Sequence, residues 1–184
     1  MSKAFILNDY MVDFIAEEGK LFSSKDAQRI GTTICEYMEK FISDGDYIAV
    51  CLDTHTEGDP FHPETALFPM HNIKGSTGHQ LYGDVGQKVE EIKKTNPSQI
   101  TIIEKSRYSA FVGTHLDIWL RSRGVNEITV SGIFTDICVL HTVIDAYGRG
   151  YKIILPRAVC YSNNKDGVKF ALKHMREAMG VLVV

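Results

Sequence analysis

Cys138, the carboxylates Asp9 and Asp53, Lys105 and a histidine-rich stretch containing His55 and His71 are the residues whose types and placing could do chemistry. Cys138 ends the run Ser131-Gly132-Ile133-Phe134-Thr135-Asp136-Ile137-Cys138, which reads as a strand passing into a helix, with Thr135 as the N-cap and Cys138 in the first turn. The positive end of the helix dipole and the unbonded N–H groups of such a turn favour a thiolate over a thiol. A cation such as Lys105 would lower the thiol pKa further, and a carboxylate such as Asp9 would take the proton and pass it to a leaving amine. The same N–H groups would stabilise the oxyanion of a tetrahedral intermediate. Together these point to nucleophilic attack on a small amide. A cysteine taken alone is more often a small buried hydrophobe, and Cys35, Cys51 and Cys160 are read in that way.

A second group lies between Asp53 and Gln80, a segment with little periodicity that is too long for an ordinary connection. It holds Asp53-Thr54-His55, then His62, Glu64, His71 and His79, so four of the seven histidines of the chain fall in one loop. Histidine and carboxylate are the ligands taken by zinc, iron or manganese. An Asp-x-His pair at a strand end followed by a later histidine fits such a site, and a loop merely rich in histidine fits the same spacing. His62 and His79 are read as bystanders.

These residues need a frame that brings them to one place. Short, mostly β-branched apolar runs occur at Ala4 to Asn8, Tyr47 to Leu52, Gln99 to Glu104, Glu127 to Ile133, Tyr151 to Leu155 and Gly180 to Val183. They are continuous rather than alternating, as expected of parallel strands covered on both faces. Between them apolar residues recur at helical spacing: Ala27, Ile30, Ile34, Met38 and Phe41; Leu116 and Leu120; Val139, Val143 and Tyr147; Val168, Leu172, Met175 and Met179, with a weaker segment over 88–94. The pattern predicts an α/β protein of three layers, with a six-stranded parallel sheet between helices. Right-handed crossovers then place every strand's carboxyl end on one edge, where ligands bind. Asp9, Asp53 with His55, Lys105 and Cys138 each follow a different predicted strand.

Composition narrows the choices. A chain of 184 residues with 44% hydrophobic side chains suits one domain, 1–184. The net charge of -3, with both signs scattered, gives no basic stripe, so nucleic acid is not expected as a partner. The N-terminal residues show neither a secretory leader nor a membrane span, and the four cysteines are widely separated without a Cys-x-x-Cys pair. A cytoplasmic protein without a membrane partner is expected. A phosphatase role for Cys138 fails because no arginine occurs in the following residues Val139 to Ile144.

In order along the chain, Asp9, the Asp53-x-His55 and His71 set, Lys105 with Tyr108-Ser109-Ala110-Phe111 behind it, and Gly132-x-x-Thr135-Asp136-x-Cys138-Val139 resemble the nicotinamidase/pyrazinamidase branch of the isochorismatase-like cysteine hydrolases. The resemblance implies the fold of that family and a triad in which Cys138 attacks a carboxamide, Asp9 shuttles its proton and Lys105 supports the thiolate. It implies a divalent metal, zinc before iron or manganese, on Asp53, His55 and His71, with Glu64 as an additional ligand found in some members. It also implies a cis peptide between Ile133 and Phe134, directing the N–H groups of Phe134 and Cys138 into an oxyanion hole. The implied substrate is a small pyridine carboxamide, nicotinamide or pyrazinamide, between walls assigned to Phe14, Leu21, Phe68 and Tyr108, in the service of NAD salvage; homo-oligomers are common among similar proteins. Two departures stand out: Phe134 is bulkier than the small residue often found there, and Asn72 follows His71 where many relatives have cysteine. An amidase of the same fold with another substrate, and a catalytically silent module used as an interaction surface, are the alternatives. Metal-free amidases lack the Asp-x-His and His set, and a silent module has no need of a complete triad.

Overall fold

The computed structural model describes residues 2–184. Along the chain come β1 (Ser2–Asn8), α1 (Val12–Ile15), α2 (Lys25–Ser43), β2 (Tyr47–Asp53), α3 (Gly83–Thr95), β3 (Ile100–Lys105), α4 (Leu116–Arg121) and β4 (Val125–Ile133). A π turn over Thr135–Val139 leads into α5 (Leu140–Gly148), followed by β5 (Lys152–Leu155), β6 (Cys160–Tyr161), α6 (Lys165–Met179) and β7 (Leu182–Val183).

The strands run in the order β3-β2-β1-β4-β5-β7, every pair parallel. All six expected strands are present. The addition is β6, two residues that pair with Gly132 and Ile133 of β4 beyond the point where β5 leaves it. Alternate residues of a strand serve opposite faces. Ala4 and Ile6 of β1 pack with Leu116 and Leu120 of α4, Val143 and Ala146 of α5 and Met175 of α6. Phe5 and Leu7 pack on the other side with Ile34, Met38 and Phe41 of α2 and Val85, Val89 and Ile92 of α3. Both faces of the sheet are therefore covered, which is why its strands read as unbroken apolar runs.

The longer helices carry their own boundary signals. Ser24 caps α2 by accepting from the Asp26 N–H at 3.0 Å, and Asn164 caps α6 by accepting from the Gly167 N–H at 3.0 Å. Gly180 closes α6 in the left-handed region at φ 66°. Tyr147, read from spacing as part of the buried stripe of α5, is 53% exposed; Val143 and Ala146 make that face instead.

Register decides where the reactive groups fall. Asn8 lies between Cys51 of β2 and Gly132 of β4, and Asp53 lies opposite Lys105 at the ends of β2 and β3. Asp9, one residue beyond β1, turns into the left-handed region at φ 57° while its N–H donates to the Cys51 carbonyl at 2.9 Å. Aspartate is among the few residues that tolerate this conformation. Gly132 at φ 116° touches the neighbouring strand so closely that a Cβ would lie 1.9 Å from the Asn8 carbonyl oxygen. Replacing it with Gly132→Ala should force apart the strand ends that carry Asp9 and Cys138. A loss of roughly 3 kcal/mol in urea denaturation is expected; a change within about 0.5 kcal/mol would show that the approach is not constraining.

Candidate active site and metal centre

Three strand ends deliver Asp9, Lys105 and Cys138 to a common buried point. Lys105 Nζ lies 2.8 Å from Asp9 Oδ2, donates to Cys138 Sγ at 3.7 Å and to the Arg107 carbonyl at 3.2 Å, and sits 3.9 Å from Asp53 Oδ1. Asp9 and Lys105 are almost wholly excluded from solvent. Burial opposes the charge on Lys105, but Asp9, Cys138 and Asp53 outweigh it and raise its pKa. Burial pushes Asp9 up to about 6, against the pull of Lys105 and with some help from Asp53.

The state of Cys138 differs from the expectation raised by its place at a helix start. Its pKa is held well above the ordinary thiol value, chiefly by burial; Lys105 works in the opposite direction, and Asp9 and Asp53 add to the rise. Two anions near the thiol counter one cation, and the helix terminus does not reverse the balance. Burial therefore disfavours the charged form of Cys138, whose thiol lies against the Asp9 carboxylate. The expected cap also differs. Phe134, in extended conformation, occupies the cap position without a side-chain hydrogen bond, and Thr135 is buried inside the turn. The turn is of the wider π type, with Val139 N–H reaching back to the Phe134 carbonyl at 3.2 Å, so Thr135 stands one place too far along to cap it. The peptide between Ile133 and Phe134 is cis, as the resemblance implied.

Beside this trio, Asp53, His55, Glu64 and His71 turn their ligand atoms inward, all within 4.8 Å of one another and all buried. Asp53 Oδ2 lies 3.0 Å from His55 Nε2 and 3.3 Å from His71 Nε2, and Glu64 Oε2 lies 3.8 Å from His71 Nε2. Burial works against the charge of Asp53, yet the two histidines and Lys105 hold its carboxyl well below the usual carboxylate range. Asp53 Oδ1 is buried with no hydrogen-bond partner. Two imidazoles and two carboxylates, one ligand atom from each and all buried, make a donor set that fits one divalent ion. His62 stays outside the set, as expected, but it touches two of its members. Its ring packs 4.2 Å from that of His55, its Nδ1 accepts from the Glu64 N–H at 3.3 Å, and its Nε2 meets the Ser106 carbonyl at 2.8 Å. His79 is tied to Thr54 Oγ1 at 2.8 Å, away from the cluster.

Both groups open on one cavity of about 260 Å³. Phe14, Leu21, Phe68 and Tyr108 all line it, together with Asp53, Glu64, His71 and Cys138. Phe14 packs against His71 at 5.5 Å between ring centroids and edge-on against Phe134 at 5.3 Å, so the bulky Phe134 completes an aromatic wall. Sequence reasoning missed the opposite border, Ser162 to Asn164 with Asp136, where Asn164 Nδ2 donates to Asp136 Oδ2 at 2.8 Å. The cap signal of Asn164 before α6 was readable, but its return to the cavity depends on the placing of β6. Asp13 was missed as well. It is a buried carboxylate that accepts from the Lys20 and Asn72 N–H groups at 3.2 and 2.7 Å, and nothing in its short helix marks it.

Among the described residues, no helix is long and apolar enough to cross a membrane. A family model described as the isochorismatase domain matches residues 3–184. The uncharacterized isochorismatase family protein PncA of Bacillus subtilis (strain 168) is 42% identical over 183 residues, covering 100% of this chain and 99% of that protein. The crystal structure of a pyrazinamidase/nicotinamidase from Streptococcus mutans UA159 is similar over 100% of both chains, with 44% identity and a TM-score of 0.94. A pyrazinamidase of Pyrococcus horikoshii in complex with zinc is 27% identical, with a TM-score of 0.86 over 100% of this chain and 99% of that one. On this combined footing of fold, site and kinship, the chain belongs to the isochorismatase family.

Proposed function

We propose that the protein is a metal-containing cysteine amidase that hydrolyses nicotinamide, and with it pyrazinamide, to the carboxylic acid and ammonia through a thioester. Its place would be NAD salvage, in the cytoplasm, as a homo-oligomer of one-domain subunits. One observation carries this reading: Cys138 and three residues of the Asp/His/Glu cluster line the same cavity, with aromatic rings between them. A flat heteroaromatic carboxamide offers a ring nitrogen to one group and an electrophilic carbonyl carbon to the other. The activity named for the S. mutans relative supports the substrate, and the zinc complex of the P. horikoshii relative supports the metal.

Asp53, His55, Glu64 and His71 would hold the ion, zinc before iron or manganese. When bound, it supplies a Lewis-acid anchor for the pyridine nitrogen, directly or through its waters. Phe14, Phe68, Leu21 and Tyr108 enclose the ring and exclude water. Asp9 takes the Cys138 proton as the sulfur adds to the carboxamide carbon, and Lys105 steadies both groups through the charge movement. The N–H groups of Phe134 and Cys138 receive the oxyanion. Asp9 then gives its proton to the amide nitrogen, the C–N bond breaks, and ammonia departs from the thioester. Water loses a proton to Asp9 as its oxygen adds to the acyl carbon. The C–S bond breaks, the acid leaves, and the proton on Asp9 returns to Cys138.

An ammonia-release assay on nicotinamide with zinc-loaded protein tests the assignment. Turnover is expected for the wild type, with a loss of about 10³-fold or more in Cys138→Ala and a marked loss after chelation. Inert wild type alongside turnover of another amide would overturn the substrate, and a fully active Cys138→Ala would overturn the nucleophile. The pH profile tests Asp9. A protonated carboxylic acid cannot accept the thiol proton, so kcat/KM should rise with pH through an apparent pKa near 6, the value to which Asp9 is raised. A rate that rises only above about pH 8, following the thiol's own ionisation, would remove Asp9 from the role of base.

A further inference from the structure

Asn72 belongs to none of the groups so far given a role, yet it is fully buried and engaged at every side but one. Its backbone is left-handed at φ 45°, its N–H donates to Asp13 Oδ2 at 2.7 Å, and its carbonyl accepts from the His55 N–H at 3.1 Å. Its side-chain Nδ2 donates to Asp53 Oδ2 at 2.9 Å, while its own Oδ1 has no partner. Asp13 completes the chain of contacts. Its carboxylate leaves no room for a side chain at position 78, where a Cβ would come within 2.1 Å of Oδ2, so α1 and the histidine loop are clasped together through Asp13.

We propose that Asn72 is a positioning residue for the metal centre: its amide fixes which oxygen of Asp53 faces His55 and His71 and which faces Lys105. The inference rests on the metal reading given above. Asp53 is asymmetric in its surroundings. Oδ2 is the atom next to both imidazole nitrogens, and Oδ1 points to the ammonium at 3.9 Å. A carboxylate can exchange its two oxygens by turning about its last side-chain bond, and a donor held rigidly to one of them opposes that turn. Asn72 is held in this way at its N–H by Asp13 and at its carbonyl by His55. Outer hydrogen bonds of this kind orient a ligand and typically change metal affinity by about 10–100-fold.

The test is Zn²⁺ affinity, read by competition with a chromophoric chelator, for the wild type, Asn72→Gly and Asn72→Ser. Glycine is at ease at positive φ and keeps the N–H given to Asp13, so the backbone clasp survives while the amide is lost. Serine repeats the measurement with a hydroxyl too short to replace the amide. Thermal melting of the metal-free proteins separates a loss of fold from a loss of positioning. The expected result is Zn²⁺ binding weaker by about 10–100-fold in both variants, with melting of the metal-free forms close to wild type. Wild-type affinity in either folded variant, or a loss of affinity that only follows a loss of fold, overturns the role of Asn72. A wild-type protein that binds no Zn²⁺ overturns the metal reading itself, and with it this inference.

Discussion

Lys105 carries its ammonium inside the protein, where a lone charge would be costly, and the Arg107 carbonyl at 3.2 Å and three side chains make its position tenable. Asp9 at 2.8 Å and Asp53 at 3.9 Å supply opposite charge, and Cys138 accepts at 3.7 Å. Removing one partner of such a buried pair commonly costs about 3–5 kcal/mol, because the remaining charge has nowhere to go. The placing of the strands follows the same need. Lys105 ends β3 opposite Asp53 of β2, and β1 between β2 and β4 brings Asp9 to face both Lys105 and Cys138. The sheet order and the charge arrangement are therefore one constraint described at two levels.

Asp53 joins the two halves of the site. One oxygen faces the Lys105 ammonium and the other faces the imidazoles of the candidate metal centre, so neither half is electrically independent. Burial then sets the working states. It raises Asp9 to about 6, and it pushes the Cys138 thiol up against the pull of Lys105. The cavity adds an apolar enclosure in which such charge effects are weakly screened.

The sequence made the main frame legible because buried parallel strands are continuous β-branched runs, and their ends could be counted against Asp9, Asp53, Lys105 and Cys138. The cluster of Asp53, His55, Glu64 and His71 was legible by residue type. What escaped was local or depended on burial. Helix α1 has four residues and β6 only two, too few for any periodicity to show. Thr135 looked like a cap because an ordinary α-helix start was assumed; a π turn moves the cap to Phe134. The thiolate expected of Cys138 followed from its helix position and the nearby Lys105, whereas the desolvation that works against it comes from the packed sheet around it. Asn72 and Asp13 carry no motif, and only the folded loop shows that they meet.

In the proposed mechanism Cys138 rests as a protonated thiol and Asp9 is its base. The most direct measurement is the ultraviolet absorbance of the Cys138 thiolate as a function of pH, taken as the difference between metal-free wild type and metal-free Cys138→Ser. No thiolate signal is expected through neutrality and up to about pH 9, beyond the ordinary ionisation of a free cysteine. A thiolate already present at about pH 7 would remove the need for Asp9 as base.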